Sequence, residues 1–143
     1  MDSWLEDSSA DAIAVVADDD EGDRNSVGEC LETVGCKVKT VQDGVELVEQ
    51  LQELQQNGKL RSLLMVVTDM DMPRRNGLAA LEIIRRRFPN VRVIVVSAFA
   101  DAVVRARAFA LGAAAVLSKP FDFRKLTDLA EGYMNSTRVL RWY

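Results

Sequence analysis

The sequence predicts an α/β fold: a single doubly wound (βα)5 domain whose five-stranded parallel sheet carries helices on both faces. Three observations predict it. Five short apolar runs rich in β-branched residues alternate with longer amphipathic stretches, and strands joined through helices lie parallel. Three of the runs lead straight into charged groups, Asp18-Asp19-Asp20, Asp69-Met70-Asp71-Met72-Pro73 and Lys119-Pro120. The chain has 143 residues, enough for one core that buries roughly two thirds of the unfolded surface without disulfides or structural metal.

The first strand is predicted at Ile13 to Ala17, apolar throughout. A helix follows over about Arg24 to Val34, with Val27, Leu31 and Val34 as its buried stripe and Gly35 to end it. Val38 to Val41 reads as the second strand, and Gly44 separates it from a second helix over Val45 to Gln56. Asn57-Gly58 should stop that helix, leaving a polar loop before the third strand, Leu63 to Thr68. Pro73 halts this strand, and Asn76-Gly77 introduces a third helix to Phe88. Val91 to Ser97 and Ala114 to Ser118 complete the strands, with a helix between them at Ala102 to Leu111, closed by Gly112. The last helix is expected from about Phe123 to Asn135.

These elements define a domain over residues 12–135, an acidic arm before it over residues 1–11, and a tail or linker start over residues 136–143. The formal charge of −4 comes from acids in the first third, while arginines gather later. No uniformly basic nucleic-acid face results. The chain contains no histidine and two cysteines, Cys30 and Cys36, which excludes histidine general bases, histidine zinc sites and a disulfide framework. Both thiols read as reduced and partly buried. The arm resembles neither signal peptide nor transit sequence, and no apolar stretch approaches the ~20 residues of a membrane span. A cytoplasmic protein is expected.

Right-handed crossovers bring the carboxyl ends of parallel strands to one edge, where open sheets bind ligands. Asp18, Asp69, Ser97 and Lys119 all occupy such ends. Carboxylates about 4 Å apart repel by roughly 4 kcal/mol per pair at an effective dielectric near 20. A divalent cation and a basic side chain would relieve that repulsion.

Four motifs in this order, the acid cluster at Asp18-Asp19-Asp20, Asp69 to Pro73 with Asn76-Gly77, Ser97-Ala98, and Lys119-Pro120-Phe121, resemble the receiver domain of two-component response regulators. The resemblance covers about Ala12 to Tyr133 and implies a flavodoxin-like topology. It also implies Asp69 as phosphoacceptor, since a carboxylate can attack phosphorus and form a mixed anhydride once charge on the transferring oxygens is neutralised. Asp18, Asp19, Asp69 and the backbone carbonyl of Asp71 would hold Mg2+, which suits hard oxygen ligands. Asp20 or Asp23 would cap the first helix. Lys119 would pair with the phosphoryl group through a cis Lys119–Pro120 bond. Ser97 would be the switch hydroxyl, with Ala98 leaving space beside it. Phe99 and Asp71 sit where family members tune phosphate lifetime.

Two departures accompany the match. Val116 stands where receivers commonly carry Tyr or Phe, and the stretch between the acid pair and Asp69 is long. The expected role is a signalling domain rather than an enzyme, phosphorylated by a histidine kinase or phosphotransfer protein. Its partner surface would be the fourth helix, fifth strand and last helix, in a monomer or a phosphorylation-dependent dimer, without direct nucleic-acid or membrane contact. A haloacid-dehalogenase-like phosphohydrolase also fits Asp69-Met70-Asp71, but such enzymes place the nucleophile after the first strand and the acid pair late. A pseudo-receiver would lack an acid, the acceptor or the lysine. The run Arg85-Arg86-Arg87 closes a helix, where cations complement the macrodipole. Arg138 to Tyr143 reads as a partner contact or a linker.

Overall fold

The computed structural model describes residues 12–72, 74, 76–120 and 122–141, with side chains described as far as 136. The N-terminal arm, Pro73, Arg75, Phe121, Trp142 and Tyr143 lie outside the described residues, and with them the predicted strand stop at Pro73 and the aromatic end of the tail.

The strands are β1 (Ile13–Ala17), β2 (Lys37–Val41), β3 (Leu63–Asp69), β4 (Val93–Ser97) and β5 (Ala115–Ser118). The helices are α1 (Glu21–Thr33), α2 (Gly44–Gln56), α3 (Gly77–Arg87), α4 (Ala102–Ala110) and α5 (Phe123–Arg141). All strand pairs are parallel, in the order β2-β1-β3-β4-β5. The order reverses at β1, so the crevice between the ends of β1 and β3 is a topological switch point, the usual ligand position in open sheets.

Helices cover both faces of the sheet, so alternate residues of each central strand enter different cores. Val15, Val66, Val95 and Val116 pack with Leu47, Leu51 and Leu54 of α2 and Leu81 and Ile84 of α3. Val16, Met65, Val67, Ile94 and Val96 pack with Val27 and Leu31 of α1 and Leu126, Ala130 and Met134 of α5. Every residue of β1 is buried, as a doubly covered parallel strand requires. At the edge, β2 exposes Lys37 and Lys39, charges that discourage pairing with another chain.

Four helices begin on the same device. Asp20, Asp43, Asn76 and Asp101 accept from the backbone N–H three residues on, at Asp23, Glu46, Ala79 and Val104. Each satisfies a donor that the first helical turn leaves unpaired, and replacing such a cap by Ala costs about 1 kcal/mol.

Element boundaries differ from the expected ones in three informative places. α1 begins at Glu21 rather than Arg24, because its capped first turn is acidic and carries none of the apolar stripe. β4 begins at Val93, since the N–H of Val91 donates back to the Phe88 carbonyl and closes a turn. α5 continues to Arg141, beyond the expected end at Asn135. Asn135, Ser136 and Thr137 are weak helix formers, but no Gly or Pro follows to stop propagation. Before β3 the expected polar loop contains a single 3-10 turn, Leu60–Ser62. No helix among the described residues is long and apolar enough to cross a membrane.

Candidate functional site at the carboxyl edge of the sheet

β1, β3, β4 and β5 deliver Asp18, Asp69, Ser97 and Lys119 to one edge, and backbone bonds hold each in place. The Asp18 N–H donates to the Val41 carbonyl at 3.2 Å. The Asp18 carboxylate accepts from the Asp20 N–H at 2.9 Å, while Arg24 donates to the Asp18 carbonyl at 2.9 Å. Beyond Asp69, the Met70 N–H donates to Val96 and the Met70 carbonyl accepts from Gly77, both at 2.8 Å. This last bond draws the start of α3 against the chain at Asp69. A Cβ at residue 77 would overlap the Asp69 carbonyl and the Met70 Cα, which is why glycine is needed there.

Lys119 binds these elements together. Its N–H donates to the Ser97 carbonyl at 2.8 Å, and the Lys119–Pro120 peptide is cis. The ammonium donates to Asp18 at 3.1 Å and to Asp23 at 3.0 Å, and lies 3.6 Å from the Asp69 carboxylate. Ser97 is buried, and its hydroxyl oxygen accepts from the Phe99 N–H at 3.1 Å.

Three carboxylates converge beside the ammonium. Asp18, Asp19 and Asp69 each offer one oxygen, all within 4.8 Å of one another; Asp18 and Asp69 are buried and Asp19 is exposed. An all-oxygen donor set open on one side fits a hard divalent cation that keeps waters. Burial, and then the Asp18 charge, push the Asp69 carboxyl up from 3.8 to about 6, against the opposing pull of Lys119 and the Asp71 N–H. Burial disfavours the Lys119 cation, but its bonds to Asp23 and Asp18 and the nearby Asp69 charge outweigh this and hold it above the ordinary lysine range. The carboxylates thus stabilise the Lys119 cation, while the Asp69 charge remains disfavoured at this edge.

A cavity of about 370 Å³ opens beside this cluster, lined by Asp18, Asp69 and Lys119 together with valines such as Val16, Val67 and Val96. Pro120 also lines it. Asp71 and Ala98 are exposed, Phe99 is 79% exposed, and Val116 is buried in the core. The edge thus gathers Asp18, Asp19, Asp69 and Lys119 closely, with Ser97 on the adjoining strand end.

Some contacts escaped sequence reasoning. Asp23, an apparent helix-start acid, is a direct partner of Lys119, whereas Asp20 is the cap. Arg74, in a left-handed conformation with φ 64°, places its guanidinium 2.8 and 2.7 Å from one oxygen of the buried Asp43, latching the β3–α3 loop to the start of α2. Burial works against the Asp43 charge, but the Glu46 N–H and Arg74 prevail and hold its carboxyl below the usual range. Arg85 leaves the basic run to donate to the carbonyls of Pro89, Val91 and Gly112. No hydrophobic period marks such residues.

The family model for the response regulator receiver domain matches residues 14–131. The chain belongs to this family. Among curated relatives, the DNA-binding transcriptional regulator NtrC of Azospirillum brasilense is 31% identical over 125 residues, covering 87% of this chain and 24% of that protein. Response regulator RR06 of Streptococcus pneumoniae is 33% identical over 108 residues, covering 76% of this chain and 46% of its own. The receiver chain described here thus spans about a quarter to a half of these relatives' length. A crystal structure of a receiver domain protein from Clostridium thermocellum superposes with a TM-score of 0.75 at 27% identity, covering 90% of this chain and 98% of that one. The receiver fold, with its five parallel strands and five helices, is therefore shared along nearly the whole domain.

Proposed function

We propose that this receiver accepts a phosphoryl group on Asp69 from a histidine kinase or a phosphotransfer protein, in a magnesium-dependent reaction, and that the acyl phosphate changes its partner surface. One observation carries the reading: the Asp69 carboxylate is buried at a sheet edge between a second carboxylate and an ammonium. Such an arrangement is costly for a structural aspartate and useful for a nucleophile.

A carboxylate oxygen of Asp69 attacks phosphorus; the new P–O bond forms as the P–N bond of a phosphohistidine breaks, and the imidazole leaves with the electron pair. Asp18, Asp19, Asp69 and the Asp71 carbonyl would hold Mg2+, which would neutralise charge on the transferring oxygens. Lys119 exchanges its pairing with Asp18 and Asp23 for the phosphoryl oxygens. The Ser97 hydroxyl then donates to the same group and draws its loop inward, with Ala98 leaving room. The modification adds roughly −1.5 to −2 charges at one edge, enough to bias a loop with two arrangements.

Pro120 aims the lysine. Asp71 and Phe99 govern water at the acyl phosphate, and Phe99 slows its hydrolysis. Val116 cannot serve as an aromatic rotamer switch. The partner face comprises α4, β5 and α5, where Val103 and Phe109 are exposed. A histidine-kinase partner implies action in the cytoplasm, as a stand-alone receiver or as part of a longer regulator.

The test is intact mass after incubation with magnesium and acetyl phosphate, beside Asp69→Asn. Gain of one phosphoryl mass by the parent alone supports the proposal. Continuous donor turnover without retained mass would indicate a phosphohydrolase, and no gain at all a pseudo-receiver.

A further inference from the structure

Arg105 of α4 has no carboxylate partner among the described residues. Its guanidinium instead makes three bonds of 3.1 Å, from Nε to the Ala100 carbonyl and from its two terminal nitrogens to the Val116 carbonyl and the Ser118 hydroxyl. The planar fork suits several fixed acceptors at once, which a lysine ammonium would not match. These acceptors are not equivalent. Ala100 belongs to the β4–α4 loop that starts from Ser97, whereas Val116 and Ser118 belong to β5. Ser118 is paired with Ser97 across the sheet and precedes Lys119. One side chain therefore ties the loop of the switch hydroxyl to the strand of the site lysine.

The loop is held from its other end too, since the Ser97 hydroxyl accepts from Phe99 within the same loop. If Ser97 turns toward a group on Asp69, the Ala98–Asp101 segment must move. Either the bond from Arg105 to Ala100 breaks, or Arg105 follows and takes α4 along. α4 is nine residues long with Ala108 as its buried residue, so its own packing resists displacement less than that of helices with several buried side chains. We propose that Arg105 is a positioning residue that latches the β4–α4 loop in its unmodified arrangement, setting how strongly the switch resists phosphorylation and coupling loop movement to α4. This deepens the phosphoacceptor reading of Asp69 and rests on it.

The opposition is measured by titrating the whole chain with beryllofluoride in the presence of magnesium, a stable stand-in for the phosphoryl group, alongside amide exchange of the Ala98–Asp101 loop without ligand. Arg105→Ala binds beryllofluoride on the order of tenfold more tightly than the parent, within the usual range of coupling between a ligand and a two-state element. Its loop amides exchange on the order of tenfold faster. Arg105→Lys keeps the charge but not the fork, and falls between. Ser118→Ala removes one bond of the latch and shifts affinity the same way by less, which keeps the test open if Arg105→Ala folds poorly. A residue that merely braced the fold would weaken ligand binding when removed. Unchanged or weaker beryllofluoride affinity in both alanine variants therefore overturns the latch, as does unchanged loop exchange. If the parent itself binds no beryllofluoride, or Asp69→Asn binds it equally, the phosphoacceptor reading has failed instead, and the exchange comparison still decides whether Arg105 holds the loop.

Discussion

Asp69→Asn should make the metal-free protein more stable at neutral pH, although it removes the residue on which the proposed function depends. The Asp69 carboxyl is buried beside Asp18 and is pushed from 3.8 to about 6. At about 1.4 kcal/mol for each factor of ten in proton affinity, the ionised group opposes folding by at most about 3 kcal/mol. Screening at the open edge reduces this to on the order of 1–3 kcal/mol. That value already contains the opposing pull of Lys119 at 3.6 Å, so the figure is the penalty left after the pairing. Asparagine keeps the shape and carries no charge.

The pH dependence gives the expectation its sign. A carboxyl whose folded value lies above its unfolded one binds its proton more tightly in the folded state, so its favourable contribution is complete below 3.8 and is lost as pH rises through about 6. Urea unfolding in EDTA should therefore find Asp69→Asn more stable than the parent at pH 8, with the gap closing as pH falls from about 6 toward 4. Millimolar magnesium should reverse the order at pH 8, because a cation bound by the folded parent stabilises it by mass action and the amide is a poorer ligand. A gap that is independent of both pH and magnesium would refute the claim that charge crowding at this edge is what a cation relieves.

Gly77→Ala should cost roughly 1–3 kcal/mol in urea unfolding and weaken magnesium binding, because the new methyl meets the Asp69 carbonyl and the Met70 Cα, rigid backbone on both counts. Asp23→Asn should speed phosphorylation by acetyl phosphate by roughly twofold to fivefold, the scale of one exposed ion pair, since it frees Lys119 from a competitor at 3.0 Å; an intact-mass time course reads it. Arg74→Ala should lower stability only modestly near pH 7, because the guanidinium is 58% exposed and its pairing is screened by solvent. The Asp43 carboxyl that it supports is held below 3.8, so this loss should be present above that value and fade as pH falls through the lower folded one, which urea titrations at pH 7 and pH 3 would reveal.

The fold was legible because its signals are local and periodic. β1 and β3 are apolar runs of strand length, and the stripe at Val27 and Leu31 returns every turn. The site residues were legible for a second reason, since parallel topology turns the ends of separate strands into one place. Asp18, Asp69 and Lys119 needed only the strand boundaries to be brought together. Boundaries themselves read less well where a cap decides them, as at Asp20, or where weak helix formers stand with no stop after them, as at Asn135.

What the sequence could not display was the set of long cationic side chains that join distant elements. Lys119 meets Asp23 across 96 positions, Arg74 meets Asp43 across 31, and Arg105 meets Ser118 across 13. Each cation spans several ångströms of flexible stem, so neither its spacing nor its neighbours in sequence determine which acceptor it finds. Arg85, Arg86 and Arg87 make the point within one turn: consecutive and chemically identical, they close the same helix, yet Arg85 gathers three backbone carbonyls and Arg87 lies over the Phe88 ring. Helical rotation of about 100° per residue points neighbouring side chains into different surroundings, and only packing decides what waits there. The same reasoning explains why Arg105 stayed hidden: in sequence it is one arginine on a short helix, and its meaning appears only when the loop after β4 and the end of β5 are placed on either side of it.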